Sequence, residues 1–235
     1  MRTPSSLGFT LLASLAISIG WHTQSSVTSS FDSEVHAFAL HDLAYPPPPH
    51  PVLCVGSSSV RLWPDMPAAF PTWPILNRGF GGSKMSDLLH FFSDLVTPYR
   101  PSLILVYEGD NDLASGCSLE DILNGFAQFL HRCRMEVPGI PVVVLAVKPS
   151  PVRRSLLDSQ RELNASLQRW ALNEDQVYFI DTFGPLLDLH GEPLPDYYQS
   201  DNLHLNALGY SVWKKVIGDF LEEHRQLGLS GFSPK

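Results

Sequence analysis

Four short segments, far apart along the chain, carry the groups that acyl transfer requires. Gly56-Ser57-Ser58-Ser59 offers hydroxyls, and Asn77-Arg78-Gly79-Phe80-Gly81-Gly82 offers backbone amides with little side chain to obstruct them. Gly109-Asp110-Asn111-Asp112 adds a side-chain amide, and Asp201-Asn202-Leu203-His204 places a carboxylate three residues before an imidazole. A serine hydroxyl becomes a competent nucleophile at neutral pH when a base takes its proton. That base is normally a histidine held in one tautomer by a carboxylate, and the tetrahedral intermediate needs donors aimed at its oxyanion. One turn of chain brings Asp201 and His204 toward one point. Gly82 has no side chain to keep a substrate from its N–H, and the Asn111 amide donates without titrating. Taken singly, each segment has an ordinary explanation as a turn, and the Gly-rich one invites comparison with a phosphate loop. It lacks the nucleotide-binding spacings, however, and coincidence is a poor account of all four in order.

The elements that must position these groups follow from apolar periodicity. Short apolar runs at 52–55, 75–76, 103–107, 141–147 and 177–180 predict buried strands. Helical patterns fill 83–95, 118–135, 155–172 and 206–224, the last with Leu208, Val212, Val216, Phe220 and Leu221 as apolar positions. A shorter pattern at 33–45 places Val35, Phe38, Ala39 and Leu43 on one face, and Pro46–Pro49 ends it. Ser118 with Asp121 predicts a capped helix start. Strands alternating with helices predict a parallel sheet in a three-layer α/β/α fold, whose reactive groups collect at the carboxyl ends of the strands. The four chemical segments follow strands one, two, three and five.

These segments, in this order, resemble the four named blocks of the SGNH, or GDSL-type, serine esterase/lipase family, from about residue 42 to 220. Lys148-Pro149-Ser150-Pro151 with Arg153 is similar to one bacterial branch of it. The resemblance implies a flavodoxin-like five-stranded parallel sheet of order 2-1-3-4-5 and an open cleft. It also implies a carboxylic ester hydrolase working through an acyl-enzyme. Ser58 would be the nucleophile, His204 the general base and Asp201 its orienting carboxylate. The oxyanion hole would comprise the Ser58 and Gly82 N–H groups and the Asn111 side chain, with no metal and no cofactor. Ser57 stands where the family usually has Asp, which leaves Ser57, Ser58 and Ser59 all open as the nucleophile; position in the block favours Ser58. The expected substrate is a small ester or acylated polymer, with short acyl groups such as acetyl on carbohydrates or lipids. Alternatives are a lysophospholipase or thioesterase, a catalytically silent ligand-binding module, and a flavodoxin-like nucleotide or flavin binder.

Other polar residues have plainer expected roles. Lys84 reads as a solvated helix-start residue, Glu108 and Asp110 as braces of the third-strand loop, and Arg153 as a surface or loop-pinning residue. The tryptophans read as core and rim, with Trp63 as a candidate cleft wall. Asn164-Ala165-Ser166 is a glycosylation sequon that matters in a eukaryotic secretory cell. Cys54 lies in an apolar run, and Cys117 and Cys133 would sit roughly 24 Å apart along a helix, beyond disulfide reach.

Composition bounds the rest. The 235 residues are 44% hydrophobic and 17% charged, enough apolar material for one core. A net charge of −8 without a basic run argues against nucleic acid as a partner. Arg2 followed by the apolar run 7–21 predicts a signal peptide over 1–21, with an uncleaved membrane tether as the alternative, and hence a secreted, periplasmic or membrane-anchored protein. A linker and lead-in helix follow over 22–45, then the catalytic domain over 46–228 and a tail over 229–235.

Overall fold

The computed structural model describes residues 31–63 and 65–225. The expected signal or anchor, most of the linker after it and the tail 229–235 lie outside those residues. Chain order runs α1 (Asp32–Ala44), β1 (Val52–Gly56), α2 (Ser58–Arg61), α3 (Met66–Ala69), β2 (Ile75–Gly79), α4 (Met85–His90) and α5 (Phe92–Leu95). It continues through β3 (Leu103–Tyr107), α6 (Asp110–Ala114), α7 (Leu119–Glu136), β4 (Val142–Leu145), a 3-10 turn at Pro151–Leu156, α8 (Leu157–Leu172), β5 (Val177–Ile180) and α9 (Ala207–Glu223).

The five strands form one parallel sheet of order β2-β1-β3-β4-β5, as expected. Their apolar runs are continuous because both faces are covered. Leu53, Val55, Ile104, Val106, Val142 and Val144 pack toward α4, α5, α7 and α8, while Val52, Cys54, Leu103, Leu105, Val143 and Leu145 pack toward α3 and α9. Register aligns Gly56 with Gly79 on one side and with Tyr107 on the other. The segments leaving β1, β2 and β3 therefore emerge side by side at one edge.

Helix α7 follows its pattern: Ile122, Phe126, Phe129 and Cys133 share its buried stripe, and the Ser118 hydroxyl accepts the Asp121 N–H at 3.1 Å. Three sequence expectations need correction. The helix expected over 83–95 breaks at Phe91 (φ −92°, ψ 13°), and the break lets the adjacent Phe91 and Phe92 both reach the core. In α9 the buried stripe is Tyr210, Trp213, Ile217 and Leu221, whereas Leu208 is 52% exposed. The aromatic stripe prevails because its rings carry the larger apolar area. Truncating the fully buried Trp213 to Ala would cost about 3–5 kcal/mol. In α1, Val35 is buried but Leu43 is 83% exposed, so the helix docks through its N-terminal half.

Cys54, Cys117 and Cys133 are free thiols. Among the described residues no helix is long and apolar enough to cross a membrane.

Candidate active site

The serine segment is shaped by a backbone conformation that excludes side chains. Gly56 has φ +140°, and a Cβ there would lie 2.1 Å from the Tyr107 carbonyl oxygen. The chain can thus turn at the end of β1, donate Ser57 N–H to that same oxygen at 3.2 Å, and begin α2 at Ser58. Ser57 and Ser59 are each 2% exposed, whereas Ser58 is half-buried. Its Oγ lies 3.0 Å from His204 Nε2. Geometry thus separates three serines that are equivalent by type. Asn77 on β2 braces the turn by donating to Val60 O at 2.7 Å and Trp63 O at 3.3 Å.

His204 lies on the loop before α9. An antiparallel bridge between Tyr198 and Leu205 closes that loop, with Gln199 N–H donating to His204 O at 2.8 Å. Asn206 caps α9 by accepting the Leu208 and Gly209 N–H groups. Asp201 Oδ1 accepts the Leu203 and His204 N–H groups at 2.9 and 3.0 Å, and Oδ2 lies 2.6 Å from His204 Nδ1. Partial burial raises the Asp201 carboxyl pKa, but these three bonds outweigh it and hold the group at about 2. An ionised carboxylate can only accept, so Nδ1 carries the ring proton and Nε2 is left to accept from Ser58. The Asp201 side chain is 45% exposed and that of His204 22%, so the pair is reached from solvent.

The Gly-rich segment is tied on both flanks. Phe80 N–H donates to Gly56 O at 2.9 Å, and Gly81 N–H donates to Glu34 Oε2 of α1 at 3.1 Å. Glu34 also pairs with Arg61 at 3.5 Å. Gly82 has φ +71° and is exposed, and a Cβ there would meet nothing within 4 Å. Ser83 is fully buried; its carbonyl accepts Asn111 Nδ2 at 2.9 Å and its hydroxyl donates to Glu108 Oε1 at 2.6 Å.

Below Asn111 lies a buried charge cluster. Asp110 Oδ1 is 2.8 Å from Arg153 Nη1 and 3.3 Å from Gln160 Nε2, and Oδ2 is 3.4 Å from Lys148 Nζ. Burial alone would raise the Asp110 pKa, but the Lys148 and Arg153 charges bring it below the usual value; burial lowers that of Lys148. Arg153 Nη2 donates to Asn111 Oδ1 at 2.9 Å. Glu108 and Asp110 do act as braces. Arg153, expected as a surface or loop-pinning residue, is mostly withdrawn from the surface and bonds the Asn111 side chain.

Residues of other expected roles fall as follows. Lys84 opens α4, its N–H held by Asp87 Oδ2 at 2.9 Å. Trp63 is 5% exposed, stacks on Tyr210 with centroids 5.0 Å apart, and lines a cavity of about 500 Å³ with Leu62, Gln199, Leu205 and Asn206. Asn164 is 8% exposed, and its amide grips the Val147 backbone at both N–H (2.7 Å) and C=O (2.9 Å). The sequon's asparagine thus lies on the core side of α8. Neither the contact of Glu34 with the Gly-rich segment nor the brace that Asn77 gives the serine turn has a local signal in the sequence, because both are made across the fold.

This sheet order, with Ser58 against His204 and His204 against Asp201, is an arrangement that suits a serine ester hydrolase. A model of the GDSL-like lipase/acylhydrolase family matches residues 48–212, and the chain belongs to that family. No curated protein matches it significantly. Among solved structures, a protein from Streptococcus pneumonia superposes with a TM-score of 0.72 at 22% identity, covering 80% of this chain and 92% of that one. A GDSL-like lipase from Bacteroides thetaiotaomicron gives 0.70 at 21% identity, covering 82% and 98%. A catalytic mutant of an acetylxylan esterase from Geobacillus stearothermophilus gives 0.59 at 13% identity, covering 73% and 92%. At these identities the likeness is one of fold.

Proposed function

We propose that the protein hydrolyses short acyl esters, such as acetyl groups, carried by carbohydrates or lipids, through an acyl-enzyme on Ser58. His204 takes the Ser58 proton as Oγ attacks the ester carbonyl, and Asp201 holds the imidazole and stabilises its charged form. The oxyanion is met by the N–H groups of Ser58 and Gly82 and by Asn111 Nδ2. His204 then protonates the leaving alcohol, and water repeats the sequence to release the acid. One observation carries this: an unbroken line of contacts from Ser58 Oγ to His204 Nε2 at 3.0 Å and from His204 Nδ1 to Asp201 Oδ2 at 2.6 Å.

The short-acyl preference draws support from the exposure of the pair and from the fold shared with an acetylxylan esterase. The apolar run at 7–21 supports export, which sequencing the N-terminus of the mature chain tests.

The experiment is a panel of p-nitrophenyl esters from acetate to palmitate, run beside acetylated sugars. Acetate should lead, and Ser58→Ala should lower turnover by roughly 10⁴–10⁶-fold. A preference for palmitate would overturn the short-acyl assignment. Near-normal turnover by Ser58→Ala would overturn the mechanism. Failure of the wild-type protein to react with a fluorophosphonate would favour a silent binding module.

A further inference from the structure

We propose that Arg153 is a positioning residue of the oxyanion hole, holding the Asn111 side chain in the orientation that presents Nδ2 to the substrate. The inference rests on the assignment of Asn111 as an oxyanion donor. An asparagine amide can turn end for end with little change in shape, and the turned form would present oxygen to a developing oxyanion. Such a site works only if something distinguishes the two ends.

Here both ends are distinguished. Arg153 Nη2, which can only donate, meets Oδ1 at 2.9 Å, and the Ser83 carbonyl, which can only accept, meets Nδ2 at 2.9 Å. In the reversed amide both bonds would become repulsive contacts. Nδ2 carries two hydrogens. One is used on Ser83, and the other remains for substrate. A cation on the far side of the amide also draws electron density toward Oδ1, which strengthens Nδ2 as a donor.

Arg153 is itself held. Its Nη1 pairs with the buried Asp110 at 2.8 Å, and Lys148 and Gln160 fix Asp110 in turn. The segment has a second attachment: Val152 N–H donates to Asn202 O at 3.2 Å, inside the loop that carries Asp201 and His204. Tyr198, at the base of that loop, donates its hydroxyl proton to Pro149 O at 2.6 Å. The stretch after β4 therefore ties the oxyanion donor to the general base.

The test is a double-mutant cycle on p-nitrophenyl acetate with Arg153→Ala, Asn111→Ala and the pair, each checked for folding by its melting temperature. Arg153→Ala should lower kcat by about 10²-fold with KM little changed. It should add almost nothing in the Asn111→Ala background, because two residues acting through one amide are not additive. Arg153→Lys should recover part of the loss, since one donor can reach Oδ1 without the planar fork. If Arg153→Ala fails to fold, Arg153→Lys and Arg153→Gln, which keep a donor, carry the same cycle. Equal proportional losses in the two backgrounds would overturn the proposal, as would a loss confined to KM. Asn111→Ala with near-normal kcat would remove the oxyanion assignment and this inference together. A loss of about 10²–10³-fold in Asn111→Ala, with Arg153→Ala harmless, would remove the inference alone.

Discussion

Asp201 holds His204 twice: Oδ2 meets the ring at Nδ1, 2.6 Å away, while Oδ1 accepts the backbone N–H of the same residue at 3.0 Å. One carboxylate therefore sets both where the imidazole stands and which nitrogen carries its proton. Asp201→Asn keeps the size but can offer Nδ1 a donor, which favours the wrong tautomer. Turnover of p-nitrophenyl acetate should fall about 10⁴-fold with the fold intact, and a loss below about tenfold would show that Asp201 does not orient the ring.

Glu108 is fully buried, and among the described residues its Oε2 has no hydrogen-bond partner. Burial is the main cause that pushes its carboxyl well above the ordinary 4.5, against the opposing bond from Ser83. Its folded-state pKa is raised, so its contribution to stability is complete below 4.5 and is lost as pH rises toward the folded-state value. Glu108→Gln keeps the acceptor for Ser83 and cannot ionise. The melting temperature of the variant relative to wild type should therefore rise between about pH 4 and pH 8. Parallel melting profiles across that range would refute a neutral buried acid.

Asp110 neutralises the buried Lys148, at 1% side-chain exposure, and the half-buried Arg153, at 17%. Asp110→Asn removes the nearest counter-charge of both and should cost about 3–5 kcal/mol in urea denaturation. The wild-type contribution has the opposite pH sense to that of Glu108. Asp110 has a lowered pKa in the fold, so its contribution is present above 3.8 and is lost as pH falls below that value. A variant of unchanged stability would show that the cluster is solvated in solution.

Asn164 cannot carry a glycan in this fold, because its side chain is buried against the Val147 backbone and leaves no room for a sugar. Expressed through a eukaryotic secretory pathway, the folded active protein should show no mass shift at this residue on treatment with an N-glycosidase. Asn164→Ala should cost about 1–3 kcal/mol, the penalty for leaving buried backbone groups unpaired.

Much of the architecture was legible in the chain itself. Five apolar runs without alternation marked strands covered on both faces, and helical patterns between them required parallel pairing. The capped start at Ser118 is as expected. The misjudged helices share one cause. In α9 two apolar stripes compete along one helix, and periodicity does not say which one meets the sheet. Helix 83–95 breaks at Phe91, where two adjacent aromatic residues both find room in the core, Phe91 against Phe80 and Phe92 against Phe129 of α7.

The sequence alone determined where reactive groups would gather, because parallel strands of matched register deliver their following loops to one edge. It also determined the closeness of Asp201 and His204, whose contacts lie within four residues. Tertiary structure decided the rest. It brought Ser58 to His204 through a contact spanning 146 positions, and it set the Asn111 amide against Arg153 across 42. It also brought Glu34 of α1, outside the family match, to the Gly-rich loop. Hydrogen bonds of this kind depend on which atoms the packed core leaves within about 3 Å of one another, and local periodicity carries no record of that.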